Sequence, residues 1–207
     1  MTKENDSAAV AFVLDISVNG VGIARSLGRQ GIAVIAADLN PNVAGRRSRY
    51  CKPLAASQSQ KGPEEFLAIL LKEGEKYSEK AVLFPGSDED VVFMSRFRRE
   101  LAKSFRFSLP SERLLESLIN KRKQYQLAKK IGLPCPDAFY PESLDEVKQI
   151  KDVIKYPVFV KPYFSHVWRN KYGEESKGFK VDTSRELVYR FREIFEAKLQ
   201  AMIQSII

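Results

Sequence analysis

The hydrophobic pattern of this chain switches repeatedly between unbroken apolar runs and helical spacing. Ala8 to Leu14 is continuously apolar, which predicts a strand buried on both faces. Asp15 to Arg25 contains Gly20 and Gly22 and predicts a tight turn into a helix over about residues 21–30, with Gly31 as its C-cap. Ile32 to Ala37 reads as a second strand, so these elements form a β-α-β unit with a right-handed connection. A short strand is expected near Tyr50. Pro63 to about Tyr77 places Phe66, Leu67, Leu70 and Leu71 at helical spacing. Ala81 to Phe84 is a strand stopped by Pro85 and Gly86, and Glu89 to about Lys103 reads as one helix. Phe105 to Phe107 is a brief strand, and Ser111 is placed to cap a helix over about residues 112–118.

Residues 120–131 then read as a basic helix, capped by Asn120 and ended by Gly132-Leu133-Pro134. Cys135-Pro136 and Tyr140-Pro141 mark a loop-rich boundary. Ser143 with Glu146, and Thr183 with Glu186, are capping boxes that open helices reaching to about Ile154 and Lys198. Val158 to Val160 is a strand running into Lys161, Lys177 to Val181 is another, and Leu199 to Ile207 is the last. From Lys161 to Val181 the pattern predicts two strands joined by a polar, basic, glycine-containing loop, a flap suited to covering a polyphosphate. Within it, His166 and Trp168 either face a ligand or pack as an anchoring pair.

Composition narrows the classes. At 207 residues, 44% hydrophobic and 29% charged, the chain can bury a core, and wholesale disorder is excluded. No apolar run approaches the ~20 residues of a membrane-spanning helix. The polar, acid-containing N-terminus is not a secretory signal. Two distant cysteines, Cys51 and Cys135, imply no disulfide framework and suit a reducing, cytoplasmic setting. The single histidine, His166, excludes a His-rich metal site. Net charge is +8, and residues 93–131 alone hold eleven Lys and Arg against three acids, so the remainder is neutral overall. Such a stretch suits nucleic acid or a polyphosphate, or forms the solvated faces of amphipathic helices.

Three places carry candidate chemistry. Lys161 ends an apolar strand, so its ammonium is held as a fixed point charge able to meet a phosphate, and Lys121 is a second candidate forty residues earlier. Pro85-Gly86-Ser87-Asp88-Glu89-Asp90 follows a strand and opens a helix, at the edge where open α/β sheets bind ligands. Ser87 and the first-turn amides can hold a carboxylate, and the acids can orient an amine or simply favour the helix dipole. Asn19-Gly20-Val21-Gly22-Ile23-Ala24 is similar to a dinucleotide fingerprint, with Asp38 eighteen residues after Gly20 near the ribose position. The same glycines would equally serve close helix–strand packing.

In order and spacing these segments resemble the ATP-grasp superfamily, in particular its carboxylate–amine ligases and the large chain of carbamoyl-phosphate synthase. The resemblance rests on the Gly20-Val21-Gly22 turn, Phe84-Pro85-Gly86-Ser87-Asp88-Glu89-Asp90-Val91, Leu109-Pro110-Ser111 followed by Asn120-Lys121 and Gly132-Leu133-Pro134, Tyr156-Pro157-Val158-Phe159-Val160-Lys161-Pro162, Lys177-Gly178, and Ala201 to Ile207. It implies an α/β fold: a Rossmann-like parallel-sheet pre-ATP-grasp domain over residues 1–118, a connecting helix over 119–135, and a small α+β ATP-grasp lid subdomain over 136–207. It also implies that the chain stops at the hinge, with the C-terminal catalytic half absent.

On the same resemblance, Lys121 and Lys161 are the two nucleotide lysines, and Ser165, His166, Lys177 and Gly178 belong to the flap. Gln204 lies on the strand leading to the adenine hinge, and Gly20, Ser87 and Asp88 lie on the substrate side. The implied reaction uses ATP and Mg²⁺, with a carboxylate converted to an acyl phosphate that an amine displaces. Catalytic groups and metal ligands fall in the absent half. The chain is therefore expected to be inactive alone, as a fragment or one half of a split enzyme, with a C-terminal partner chain or a homodimer as its assembly. Two departures stand out. The flap holds only Gly173 and Gly178, and Ser205 stands where an acid is common in the family. Two readings from other classes stay open: an NAD(P)-binding Rossmann protein, and a basic nucleic-acid-binding module on residues 93–131.

Overall fold

The computed structural model describes residues 9–38, 43–54, 62–173 and 175–206. The polar N-terminal residues, the expected strand start at Ala8 and the expected strand end at Ile207 lie outside them. The chain divides into two compact units at Leu109 and Pro110.

In the first unit, β1 (Val10–Leu14), β2 (Ala33–Ala37), β3 (Lys52–Pro53), β4 (Ala81–Phe84) and β5 (Phe105–Arg106) form one parallel sheet in the order β3-β2-β1-β4-β5. Its helices are α1 (Val18–Arg29), α2 (Pro63–Gly74), α3 (Asp88–Arg96) and α4 (Arg98–Ser104). Both faces of the sheet are covered, which is why β1 is apolar without alternation. Phe12, Leu14, Leu83 and Phe105 pack with Phe66, Leu70, Met94 and Leu101 on one face. Ala11, Val13, Val34 and Ala36 pack with Ile16 and Ala24 on the other. The strand order reverses direction between β1 and β4, so their carboxyl ends flank the crevice where ligands of open α/β sheets bind.

Helix α1 begins at Val18, three residues earlier than the sequence reading, so Gly20 and Gly22 lie inside it rather than in a loop before it. It ends in a Schellman motif, with Ile32 N–H donating to Leu27 O and Gly31 N–H to Gly28 O. The single helix expected over Glu89 to Lys103 is broken at Phe97 into α3 and α4.

The second unit holds α5 (Glu112–Ile119), α6 (Lys121–Lys130), β6 (Ala138–Phe139), α7 (Leu144–Ile150), β7 (Val158–Pro162), α8 (Ser165–Tyr172), β8 (Phe179–Val181), α9 (Ser184–Glu196) and β9 (Ala201–Ser205). Its sheet is antiparallel in the order β6-β9-β7-β8. Val158, Val160, Val181, Ala201 and Ile203 turn one face onto Val147 of α7 and onto Leu187, Phe191 and Ile194 of α9. Burying each of the larger of these side chains contributes about 1.5–3 kcal/mol. By strand alternation the opposite face carries Phe159, Lys161, Met202 and Gln204, with Phe159 paired to Gln204 and Lys161 to Met202.

The expected α/β architecture, a parallel Rossmann-like sheet followed by a small α+β unit, is the one observed. The flap is the main local correction. Residues between β7 and β8 form helix α8, where the sequence reading expected a loop. Phe164, Trp168 and Tyr172 recur every fourth residue, and Trp168 is fully buried. Its ring packs against Tyr172 and Phe179 with centroids at 4.5 and 5.2 Å, and its Nε1–H donates to Ser176 Oγ at 2.9 Å. Trp168 does not pair with His166, whose ring sits against Phe164 at 5.8 Å. Strand β6 also lies within the segment read as loop.

Candidate functional site

Two side-chain clusters stand out, one in each unit. In the second unit, Lys161 is half-buried on the open face of β7. Burial first, and then the ammonium of Lys121, hold its pKa below the ordinary lysine value. Lys121 opens α6. Its backbone N–H donates to Tyr163 O at 2.9 Å, which seats the start of the helix beside the residues that follow Lys161. Asn120 caps this helix through Oδ1, accepting from Lys123 N–H at 3.1 Å. The Lys121 Nζ donates only weakly, to Gln124 Oε1 at 3.4 Å. Among the described residues neither Lys121 nor Lys161 has a carboxylate partner. Two ammonium groups that interact in this way, one of them desolvated, are suited to meeting an anion.

Gln204 completes this face. Its Oε1 accepts from the Tyr125 hydroxyl at 2.8 Å, which ties α6 to β9 across the sheet. Ser165 and His166 form the first turn of α8 and are half-buried, and His166 Nδ1 is buried with no hydrogen-bond partner among the described residues. Lys177 is exposed just before β8. Gly178 has φ 137°, and a Cβ there would lie 2.2 Å from Val160 O, so its glycine is required by close packing against β7. The structure therefore brings Lys121 and Lys161 together and sets Gln204 on their face of the sheet. Gln124 and Tyr125, which the sequence reading did not select, join them. The spacing of Tyr125 four residues after Lys121 is the signal that could have found it.

In the first unit, the carboxyl ends of β1 and β4 approach closely. A Cβ on Gly86 would meet Asp15 O at 2.4 Å, and one on Gly20 would meet the same oxygen at 2.0 Å. Gly20 is thus a packing residue under the turn after β1. Ser87 caps α3 by accepting from Asp90 N–H at 3.1 Å, and Asp90 Oδ2 accepts from Gly86 and Ser87 N–H at 2.8 and 3.0 Å. Asp88 is exposed in the first turn. Asn19 Nδ2 donates to Gly86 O at 3.1 Å, linking α1 to this turn. Asp38 Oδ2 accepts from Ile16 N–H at 2.7 Å, so it holds the chain after β1.

Asp90 is the last acid of the Pro85–Asp90 motif, and Ser87 with an acid three residues later is a capping signal. Burial pushes its carboxyl up to about 6. Its bonds from Gly86 and Ser87 oppose that rise, and the nearby Asp15 charge adds to it. No group of three or more His, Cys, Asp or Glu side chains suited to a metal occurs among the described residues. The basic stretch 93–131 is divided between the two units, and part of it is paired: Arg96 with Glu64, Arg106 with Glu79, Arg122 with Glu142 and Lys123 with Glu116.

The comparison with solved structures decides the fold. An L-amino acid ligase from Bacillus licheniformis aligns at 13% identity with a TM-score of 0.65, over 99% of this chain and 45% of that one. An N5-carboxyaminoimidazole synthetase from Staphylococcus aureus complexed with ADP aligns at 15% identity and TM-score 0.68, over 99% and 49%. This chain has the fold of the N-terminal half of the ATP-grasp enzymes. The biotin carboxylase domain dimer of Hydrogenobacter thermophilus 2-oxoglutarate carboxylase, in complex with MgADP, ADP and bicarbonate, is a further neighbour at 16% identity and TM-score 0.66, over 96% and 44%. The chain spans about half the length of these ATP-grasp structures. No family model matches it, and no curated protein matches it. No helix among the described residues is long and apolar enough to cross a membrane.

Proposed function

We propose that this chain is the nucleotide-binding and part of the substrate-binding portion of an ATP-dependent ligase that joins a carboxylate to an amine through an acyl phosphate. The observation that carries this reading is the Lys121–Lys161 pair, lacking a carboxylate among the described residues on the open face of the lid sheet. An ATP phosphate placed there would offset the burial and like-charge repulsion that lower the Lys161 pKa, and would be held by two fixed cations. Gln204, steadied by Tyr125, would offer amide hydrogen bonds farther along the same face. Ser165, His166 and Lys177 are the flap-side candidates. Ser87 and Asp88 are the substrate-side candidates, with Gly20 serving close packing of the turn after β1 and Asp90 as the acid that fixes the Gly86–Ser87 turn.

The neighbours named above include proteins complexed with ADP and with MgADP, which supports nucleotide binding on this fold. Because those chains are about twice as long, the Mg²⁺ ligands and the groups that activate the carboxylate are proposed to belong to a further half, supplied by the same polypeptide or by a partner chain. The present residues bind and orient; they are proposed to be inactive alone. The test is a calorimetric titration of this chain with ATP, repeated for Lys161→Ala and Lys121→Ala. Loss of binding in Lys161→Ala, with an unchanged far-ultraviolet circular dichroism spectrum, is expected. Equal affinity in both variants and the parent overturns the assignment.

A further inference from the structure

A groove of about 780 Å³ opens at the amino ends of the strands, between the end of α1 and the turn after α2. It is bordered by Val10, Ala33 and Lys52 at strand starts and by Arg49, Tyr50 and Lys80 on connecting segments. Gly28 of α1 admits the Tyr50 side chain, because a Cβ there would meet Tyr50 Cβ at 2.8 Å. Arg49 donates from Nη2 to the Tyr50 hydroxyl at 2.8 Å while its guanidinium lies over the ring at 4.9 Å. The guanidiniums of Arg49, first, and of Arg29 lower the pKa of this phenol.

Part of this positive charge has an ordinary structural use. Helix C-termini carry partial negative charge, and Arg29 stands in the last turn of α1. Lys76 pairs with Glu73, and Lys80 donates to Ala102 O. Glu79, the acid on the rim, is taken by Arg106. Arg49 and Lys52 are different. They sit on no helix and have no carboxylate partner among the described residues. They add a cationic surplus beside a groove of the size that holds a small ligand.

We propose that this groove binds a small organic phosphate, with Arg49 and Lys52 on the phosphate and the groove around its organic part. Arg49 can offer the phosphate a fork of donors, and Lys52 a point charge. The strands of this sheet place the groove roughly 17 Å from the carboxyl edge. Occupancy there is therefore separate from the ligand crevice at β1 and β4, and suits an effector rather than a reactant.

The test uses inorganic phosphate and ribose 5-phosphate as probes in calorimetric titrations of this chain, of an Arg49→Gln/Lys52→Gln double variant, and of Lys161→Ala. Ribose 5-phosphate is expected to bind at least about tenfold more tightly than inorganic phosphate. That binding should fall about tenfold or more in the double variant and stay unchanged in Lys161→Ala. The two substituted side chains are exposed, so circular dichroism should show the double variant folded. Absence of binding, equal affinity for the two probes, or loss in Lys161→Ala with retention in the double variant overturns the proposal. The last pattern would place the probe on the Lys121–Lys161 pair instead.

Discussion

Lys121 donates its backbone N–H to the carbonyl of Tyr163 at 2.9 Å, a bond that joins the first residue of α6 to the segment leaving β7. Helix and strand are remote in sequence, yet this contact fixes the two lysines as a pair. Their mutual repulsion is built into the folded unit.

That repulsion has a measurable cost. The pKa of Lys161 is lowered by burial and by Lys121, so its ammonium is less favourable in the folded than in the unfolded chain. The penalty is fully present below the folded pKa and disappears as pH rises past the unfolded value, near 10.4. Lys161→Met is expected to raise the thermal midpoint at pH 7, and the gain should shrink in melts recorded at increasingly alkaline pH. A lower midpoint at pH 7 would show that Lys161 stabilises the unliganded unit.

Asp90 carries the opposite titration. Its folded pKa of about 6 lies above the usual 3.8, so the folded state binds the extra proton between these values. Stability contributed by the protonated form is complete below 3.8 and lost as pH rises through 6. Asp90→Asn keeps an oxygen for the Gly86 and Ser87 amides and removes the charge. Urea unfolding should find it more stable than the parent by about 2–3 kcal/mol at pH 8 and nearly equal to it at pH 3.5. A constant difference across that range would contradict the assignment.

Gly178 is held at φ 137° with β7 directly against it. Gly178→Ala should destabilise the second unit by about 2–3 kcal/mol, read as a lower denaturant midpoint at unchanged slope.

Lys198 offers the reverse case. It follows α9 with φ 56°, and the bonds Leu199 N–H to Ile194 O and Lys198 N–H to Phe195 O form a Schellman motif. A non-glycine residue in that conformation is strained. Lys198→Gly is expected to stabilise by about 0.5–1 kcal/mol in the same denaturation assay.

Much of this fold was legible in the chain because its signals are local. The apolar runs at Val10–Leu14 and Ala33–Ala37 can satisfy burial on both faces only as central parallel strands. Asn120, Ser143 and Thr183 announce their helices through side-chain caps that the structure forms. Lys161 is visible because strand alternation sends it away from Val158 and Val160. Helix α8 was obscured by its polar and basic residues, although the aromatic spacing from Phe164 to Tyr172 is helical. Gly20, similar to a phosphate-binding glycine by its neighbours, is explained instead by a carbonyl from Asp15 that no local pattern announces. The titration of Asp90 was hidden for a related reason. Its capping geometry is local, but its raised pKa comes from burial and from Asp15, far away in sequence.

Strand β9 lies between β6 and β7, paired on both sides, although it is the last strand in sequence among the described residues. On the ribosome, the five-stranded unit has all of its strands once Arg106 has emerged. The second sheet has no centre until residues 201–205 leave the exit tunnel. Until then β6 and β7 have unfilled edges facing the position that β9 will take.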